Sequence, residues 1–362
     1  MTNTFTRRHF HALITAPLLS FTFPVKASEK HPLSALSADY PGISASVFVK
    51  GQQVWSDQSG FADLRTRTPV TGHTGFNIYS TSKALTGMAF ARLIAQGRTT
   101  LATTAADIDP DLPEHLHTIR IQDILSHTSG IRHYASPQDW LKFAQMTCDT
   151  PRDALTYFRD TPLLHPSGST EHYSSFAFVL ASHLLTRLNG EADFASALNQ
   201  TLGEWAHFEL DAVGVKKATP YIQAGLLPTL PEGANPKDII PSPLPPAGCK
   251  FGGGGLIASS DQLAEAGAAL ASGKIIPKHH LKAALTPWSD VSNVVYGGAI
   301  GKITHSGQPT TTYSLSGGAP GGRSYLLVLI EPEISVAICG NIDGPNLADT
   351  AQLIARDWSL IN

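Results

Sequence analysis

Apolar and polar residues alternate from Ile43 to Lys50 and again from Gln53 to Gly60 around Gly51-Gln52, a pattern that predicts a β-hairpin forming one side of a sheet. Residues 61 to 75 read as a polar loop. The period then lengthens. Ala, Leu and Met dominate 83 to 96, with Leu85, Met88, Ala89, Leu93 and Ile94 at helical spacing and Gly97 as the stop. Helical spacing recurs over 119 to 125, 137 to 146, 151 to 159, 175 to 188 and 191 to 203, so residues from about 76 to 210 read as a helical lobe. Pro228, Pro231, Pro236, Pro241, Pro243, Pro245 and Pro246 argue against regular structure over 211 to 250, and so long a loop is expected to serve a function, here roofing a cleft. A helix at 261 to 272 precedes strands at 293 to 304, 309 to 316, 323 to 330 and 334 to 340. Asp343-Gly344-Pro345 opens a last amphipathic helix with Leu347, Ala351, Ile354 and Trp358 on its inner face. Strands at both chain ends with helices between them predict an α/β fold, an antiparallel sheet drawn from about 40 to 75 and 250 to 362 with the helical lobe inserted.

Composition narrows the setting. A chain of 362 residues, 42% hydrophobic and 15% charged, can bury a substantial core in one or two domains. Its 26 basic and 29 acidic residues leave no nucleic-acid footprint. The first 27 residues hold no acidic side chain and run from Arg7-Arg8 through the apolar stretch Ala12 to Phe23 to small residues ending at Ala27. That layout predicts a signal peptide at 1 to 27, with the arginine pair pointing to the twin-arginine route and an ordinary secretory signal as the alternative. At twelve residues, this mainly apolar stretch falls short of the ~20 that a membrane span needs. Residues 28 to 362 are therefore expected as a periplasmic or secreted protein without a stable membrane span. Cys148, Cys249 and Cys339 allow one internal disulfide, and the apolar surroundings of Cys339 predict a buried free thiol.

The chemistry centres on Phe76 to Leu85, F-N-I-Y-S-T-S-K-A-L. Of 13 lysines, only Lys83 has a serine three positions before it, which sets Ser80 and Lys83 one turn apart on one face of a helix. Read alone, Ser80 could be a helix cap and Lys83 a solvated first-turn lysine. Four further stretches accompany them: Ile121 to Ile131 (I-Q-D-I-L-S-H-T-S-G-I), Tyr173-Ser174-Ser175, Gly253 to Leu263, and Ser316 to Ser324 (S-G-G-A-P-G-G-R-S). Taken in order, these resemble the landmarks of the serine β-lactamase-like superfamily, the group of class C β-lactamases, D-alanyl-D-alanine carboxypeptidases and related esterases. The resemblance covers most of the chain after residue 40.

That resemblance implies a β-lactamase/transpeptidase-like fold with the site between sheet and helical lobe. It implies Ser80 as nucleophile, Lys83 as its base and Tyr173 as the proton relay to the leaving group. A lysine acts as base only when neutral, and burial is what lowers its pKa. The resemblance further implies an oxyanion hole from the backbone N–H groups of Ser80 and Gly318, and substrate contacts from Ser175, Leu315, Ser316 and Gly317. Two positions depart from the pattern: Ser175 stands where the family has asparagine, and Leu315 where it has Lys or His. His305-Ser306-Gly307 carries the family's letters ten residues early, but it runs into the turn at Gln308-Pro309.

Gly252 to Gly255 is not followed by Lys-Ser or Lys-Thr and reads as a turn rather than a phosphate loop, while His127 reads as a turn residue capping a helix. No H-E-x-x-H motif occurs, so neither metal nor cofactor is assigned. The expected partner is a small-molecule or peptide substrate. The reading is an exported hydrolase forming an acyl-enzyme on a small ester or amide, with a penicillin-type sensor or a non-catalytic relative as alternatives. Because Leu315 carries no charge, neutral esters are expected to outperform penicillins and D-alanyl peptides unless Arg323 or His305 supplies a cation.

Overall fold

A computed structural model describes residues 33, 36, 38–203, 207–212, 214, 216–227 and 229–359. The expected signal peptide lies outside these residues. Strands β1 (Gly42–Val49), β2 (Gln52–Asp63), β3 (Thr68–Pro69) and β4 (Phe76–Asn77) lead to a 3-10 turn, Tyr79–Thr81, and helix α1 (Ser82–Ala95). Helices α2 (Ala105–Ile108), α3 (Ile121–Leu125), α4 (Pro137–Ala144), α5 (Pro151–Leu155), α6 (Ser175–Asn189) and α7 (Phe194–Leu202) follow. Next come β5 (Glu209–Leu210), β6 (Tyr221–Gln223), β7 (Ile239–Pro241), the 3-10 segment Gly248–Gly253, β8 (Leu256–Ala258), α8 (Ser260–Ala271) and α9 (Lys278–Ala284). The chain closes with β9 (Val294–Val295), β10 (Gly298–His305), β11 (Gln308–Ala319), β12 (Gly322–Leu329), β13 (Ile334–Gly340) and α10 (Ala348–Ser359).

The main sheet is antiparallel, in the order β3-β2-β1-β13-β12-β11-β10-β9, so the two ends of the fold pair at β1 and β13. Alternation along these strands divides their side chains between two cores. Ile43, Ala45, Val47 and Val49 of β1, with Val336 and Ile338 of β13, face α10. Ala337 and Cys339 of β13, with Leu326 and Val328 of β12, face α8 and the larger core that runs on into the helices. Ser44 and Ser260 share a hydrogen bond of 2.6 Å across that second face.

Several expectations needed correction. The supposed loop at 61 to 75 holds the end of β2 and all of β3, and α9 was not foreseen because Lys278-His279-His280 breaks the apolar period. The proline-rich stretch is not structureless: β6 and β7 pair as a ribbon, and Tyr221 is buried in the α10 core. The final helix begins at Ala348, three residues beyond Pro345. Cys148 and Cys249 form a disulfide with Cα atoms 5.4 Å apart, and Cys339 is buried and free.

Candidate active site

Ser80 sits in the 3-10 turn Tyr79–Thr81 that feeds α1, after Tyr79 at φ +44°. A non-glycine residue holds such a conformation only where its surroundings enforce it. Two clamps do so here. Ser324 of β12 donates from Oγ to the Ile78 carbonyl at 2.7 Å and shares a 2.8 Å hydrogen bond with Thr81 Oγ1. Gly317 of β11 passes so close that a Cβ there would lie 2.0 Å from the Ile78 oxygen. Strands β11 and β12 are thus held directly against the turn.

The Ser80 hydroxyl caps no helix: Thr81 is the N-cap of α1, without a side-chain capping bond. Instead Ser80 Oγ lies 2.6 Å from the Tyr173 hydroxyl and 3.2 Å from Lys83 Nζ. Lys83 is fully buried, and its Nζ also donates to the Gly253 carbonyl at 2.5 Å and to Ser175 Oγ at 3.1 Å. Burial pushes the Lys83 pKa down, and no carboxylate pairs with it among the described residues. A neutral amine has two N–H bonds and one lone pair. With the Gly253 carbonyl and Ser175 taking the two donors, the lone pair is left for the Ser80 proton.

Tyr173 precedes α6 and is held between two histidine rings, His127 at 4.5 Å and His133 at 5.1 Å between centroids. His127 Nδ1 accepts from the Ser174 backbone N–H and His133 Nδ1 from that of Ser175, both at 3.2 Å. Burial holds both histidines below their usual pKa, His133 down to about 4, which keeps those nitrogens free to accept. Tyr173 keeps 39% of its surface exposed; desolvation around its hydroxyl would raise the pKa, but the proximity of Lys83 and the hydrogen bonds around the hydroxyl leave it lowered.

These groups open onto a cavity of about 550 Å³ lined by Tyr79, Ser80, His133, Trp140, Tyr173, Ser175, Lys250, Ser316, Gly318, Arg323 and Asp343, among others. Of the β11 residues singled out in the sequence, Ser316 and Gly318 reach this cavity. Leu315 and Gly317 do not line it, because alternate strand residues face opposite ways; Leu315 packs against the larger core. Arg323 is on the cavity wall but paired with Asp343. His305 pairs in register with Gln308 at the far end of the β10–β11 hairpin and is not among the cavity-lining residues.

A family model described as Beta-lactamase matches residues 26–357. The chain belongs to that family. It is 37% identical over 99 residues to the serine beta-lactamase-like protein LACTB, mitochondrial, of Homo sapiens, a match covering 26% of this chain and 18% of that protein. It is 27% identical over 160 residues to the unguisins hydrolase ungD of Aspergillus violaceofuscus (strain CBS 115571), covering 42% and 28% respectively. The matched stretches therefore span less than a third of these relatives. Among solved structures, EstCE1, "a hydrolase with promiscuous acyltransferase activity", superposes with a TM-score of 0.69 at 22% identity, over 91% of this chain and 97% of that one. The β-lactamase/transpeptidase-like fold is thus shared across almost the whole described chain.

Within this beta-lactamase-family site, sequence reasoning missed Lys250. It lies in the 3-10 segment Gly248–Gly253, between the proline-rich stretch and the glycine run, where no periodicity marks it. The available signal was its position directly after Cys249, since that cysteine's disulfide carries the segment to the end of the loop after α4.

Proposed function

We propose that this protein is a serine hydrolase that forms an acyl-enzyme at Ser80 on a small ester or amide. One observation carries the reading: Ser80 Oγ is within hydrogen-bond reach of both a buried lysine that has no carboxylate partner among the described residues and a tyrosine hydroxyl. In this reading Ser80 Oγ attacks the substrate carbonyl carbon while its proton passes to Lys83 Nζ. The negative charge on the carbonyl oxygen falls between the backbone N–H groups of Ser80 and Gly318, donors that are each typically worth ~3 kcal/mol at the transition state. The proton moves on through the Tyr173 hydroxyl to the leaving oxygen or nitrogen as its bond to carbon breaks. Water then attacks the acyl group by the same relay, which frees Ser80.

Intact-mass spectrometry after treatment with a fluorophosphonate, a penicillin and a simple aryl ester tests this. A single adduct on Ser80, absent in Ser80→Ala, is expected, and release of the ester acyl group distinguishes turnover from a sensor that keeps it. Labelling at another serine, or none, would sink the assignment.

We also propose that residues 1 to 27 direct export, by the twin-arginine route. The Cys148–Cys249 disulfide supports this, since such bonds persist in oxidising compartments.

A further inference from the structure

Lys250 is buried, with 6% of its surface exposed, and it lines the same cavity as Ser80. Two aromatic rings flank its ammonium group: Trp140 of α4 at 4.6 Å and Tyr79, the residue before the nucleophile, at 5.7 Å from the ring centroids. Among the described residues, Nζ has no hydrogen bond and no ion pair. The acid acting on it electrostatically, Asp211, is already engaged by Lys217, by Asn77 Nδ2 at 2.9 Å and by the Ala247 N–H at 2.7 Å. The other cation on the cavity wall, Arg323, is committed to Asp343, and Lys83, which does not line the cavity, is engaged by Ser80, Ser175 and Gly253. The lysine's position is strongly specified. The Cys148–Cys249 disulfide anchors the preceding residue, and the following one, Phe251, holds φ +42° and ψ −131°, which a non-glycine residue adopts only when packing over-determines it.

A buried cation facing an open cavity without an anionic partner is a site built for an anion from outside, because the pairing recovers what desolvation cost. We propose that Lys250 is the specificity-determining cation of this site, binding a carboxylate carried by the acyl substrate. It would supply from the 3-10 segment a charge that Leu315 does not supply from β11. The inference rests on the acyl-transfer reading of Ser80, and it reverses the expectation that neutral esters are preferred. Burial next to Lys83 pushes the Lys250 pKa down to about 7, which agrees with a cation that lacks its counter-charge until substrate arrives.

The test uses two matched pairs of aryl esters. One pair places the carboxylate on the acyl group, p-nitrophenyl hydrogen glutarate against p-nitrophenyl pentanoate; the other places it on the leaving group, 3-carboxyphenyl against phenyl butyrate. The native protein is expected to favour the anionic member of at least one pair. Lys250→Met should lower the anionic-to-neutral ratio of kcat/KM by about tenfold or more, mainly through KM, and Lys250→Arg should restore part of it. If Lys250 only braced the fold, both members of each pair would change alike and the ratio would stay put, which would overturn the proposal. Calorimetric titration of Ser80→Ala with monophenyl glutarate separates the two readings. Binding that Lys250→Met abolishes keeps the carboxylate site even if no ester is turned over; binding that survives Lys250→Met removes it.

Discussion

In the proposed reaction Ser80, Lys83 and Tyr173 pass one proton between them, and the base is the member with least tolerance for change. Guanidinium keeps its proton inside proteins, so Lys83→Arg is expected to cost on the order of a thousandfold in kcat, measured with any ester the native protein accepts. Lys250 makes a different prediction. Its folded-state pKa near 7 lies below the unfolded value, so between those two values the unfolded chain binds more protons and stability rises with pH. Below about 7 the buried charge is present in the fold and its cost is at its fullest. Lys250→Met is therefore expected to raise the melting temperature at pH 7, and the gain should shrink by pH 10; calorimetric melts at the two pH values check this. The neighbouring Lys83 contributes to that shift, so the gain includes relief of the repulsion between the two lysines.

At the scale of elements, the site is a junction between the turn before α1, the segment before α6 and the β11–β12 pair. Its tightest point is Gly317 against the Ile78 carbonyl. Gly317→Ala puts a Cβ where backbone already stands, and the strain of such overpacking is typically ~1–3 kcal/mol. The expected result is a lower melting temperature together with a loss of kcat/KM, because relief requires β11, and with it Ser316 and Gly318, to move away from Ser80. A second close approach occurs at Gly87 of α1, where a Cβ would meet the Tyr296 carbonyl at 1.7 Å. That contact lets α1 lie flat against the chain entering β10, with the Tyr313 hydroxyl donating to the Tyr296 carbonyl at 2.8 Å. The helix carrying Lys83 is thereby fixed to the sheet carrying Gly318.

For the whole molecule, the sheet joins strands from both ends of the described chain and the helices lie between, so the cleft closes only once distant segments have paired. Among the described residues no helix is long and apolar enough to cross a membrane. Export can be checked by changing Arg7 and Arg8 together to Lys. The protein is expected to stay in the cytoplasmic fraction as the uncleaved precursor, and unchanged arrival of the mature protein outside it would rule out the twin-arginine route.

The sequence by itself determined whatever rests on spacing within one element. Ser80 and Lys83 are three residues apart, so helix geometry alone brings them to one face; the alternation in β1 and β13 likewise sorts inward from outward residues before any partner is known. The choice between His305 and Ser316 could also be argued from the sequence, since the first runs straight into a turn. Only tertiary structure decided which side of β11 meets the cavity, because alternation tells that Leu315 and Ser316 point apart but not which of them faces Ser80. It also decided that Arg323 is spent on Asp343 and that Lys250 is not spent on any acid among the described residues. Lys250 owes its place to Tyr79, Trp140 and a disulfide whose halves are 101 positions apart, and no local period encodes contacts that distant chain segments make only when they pack.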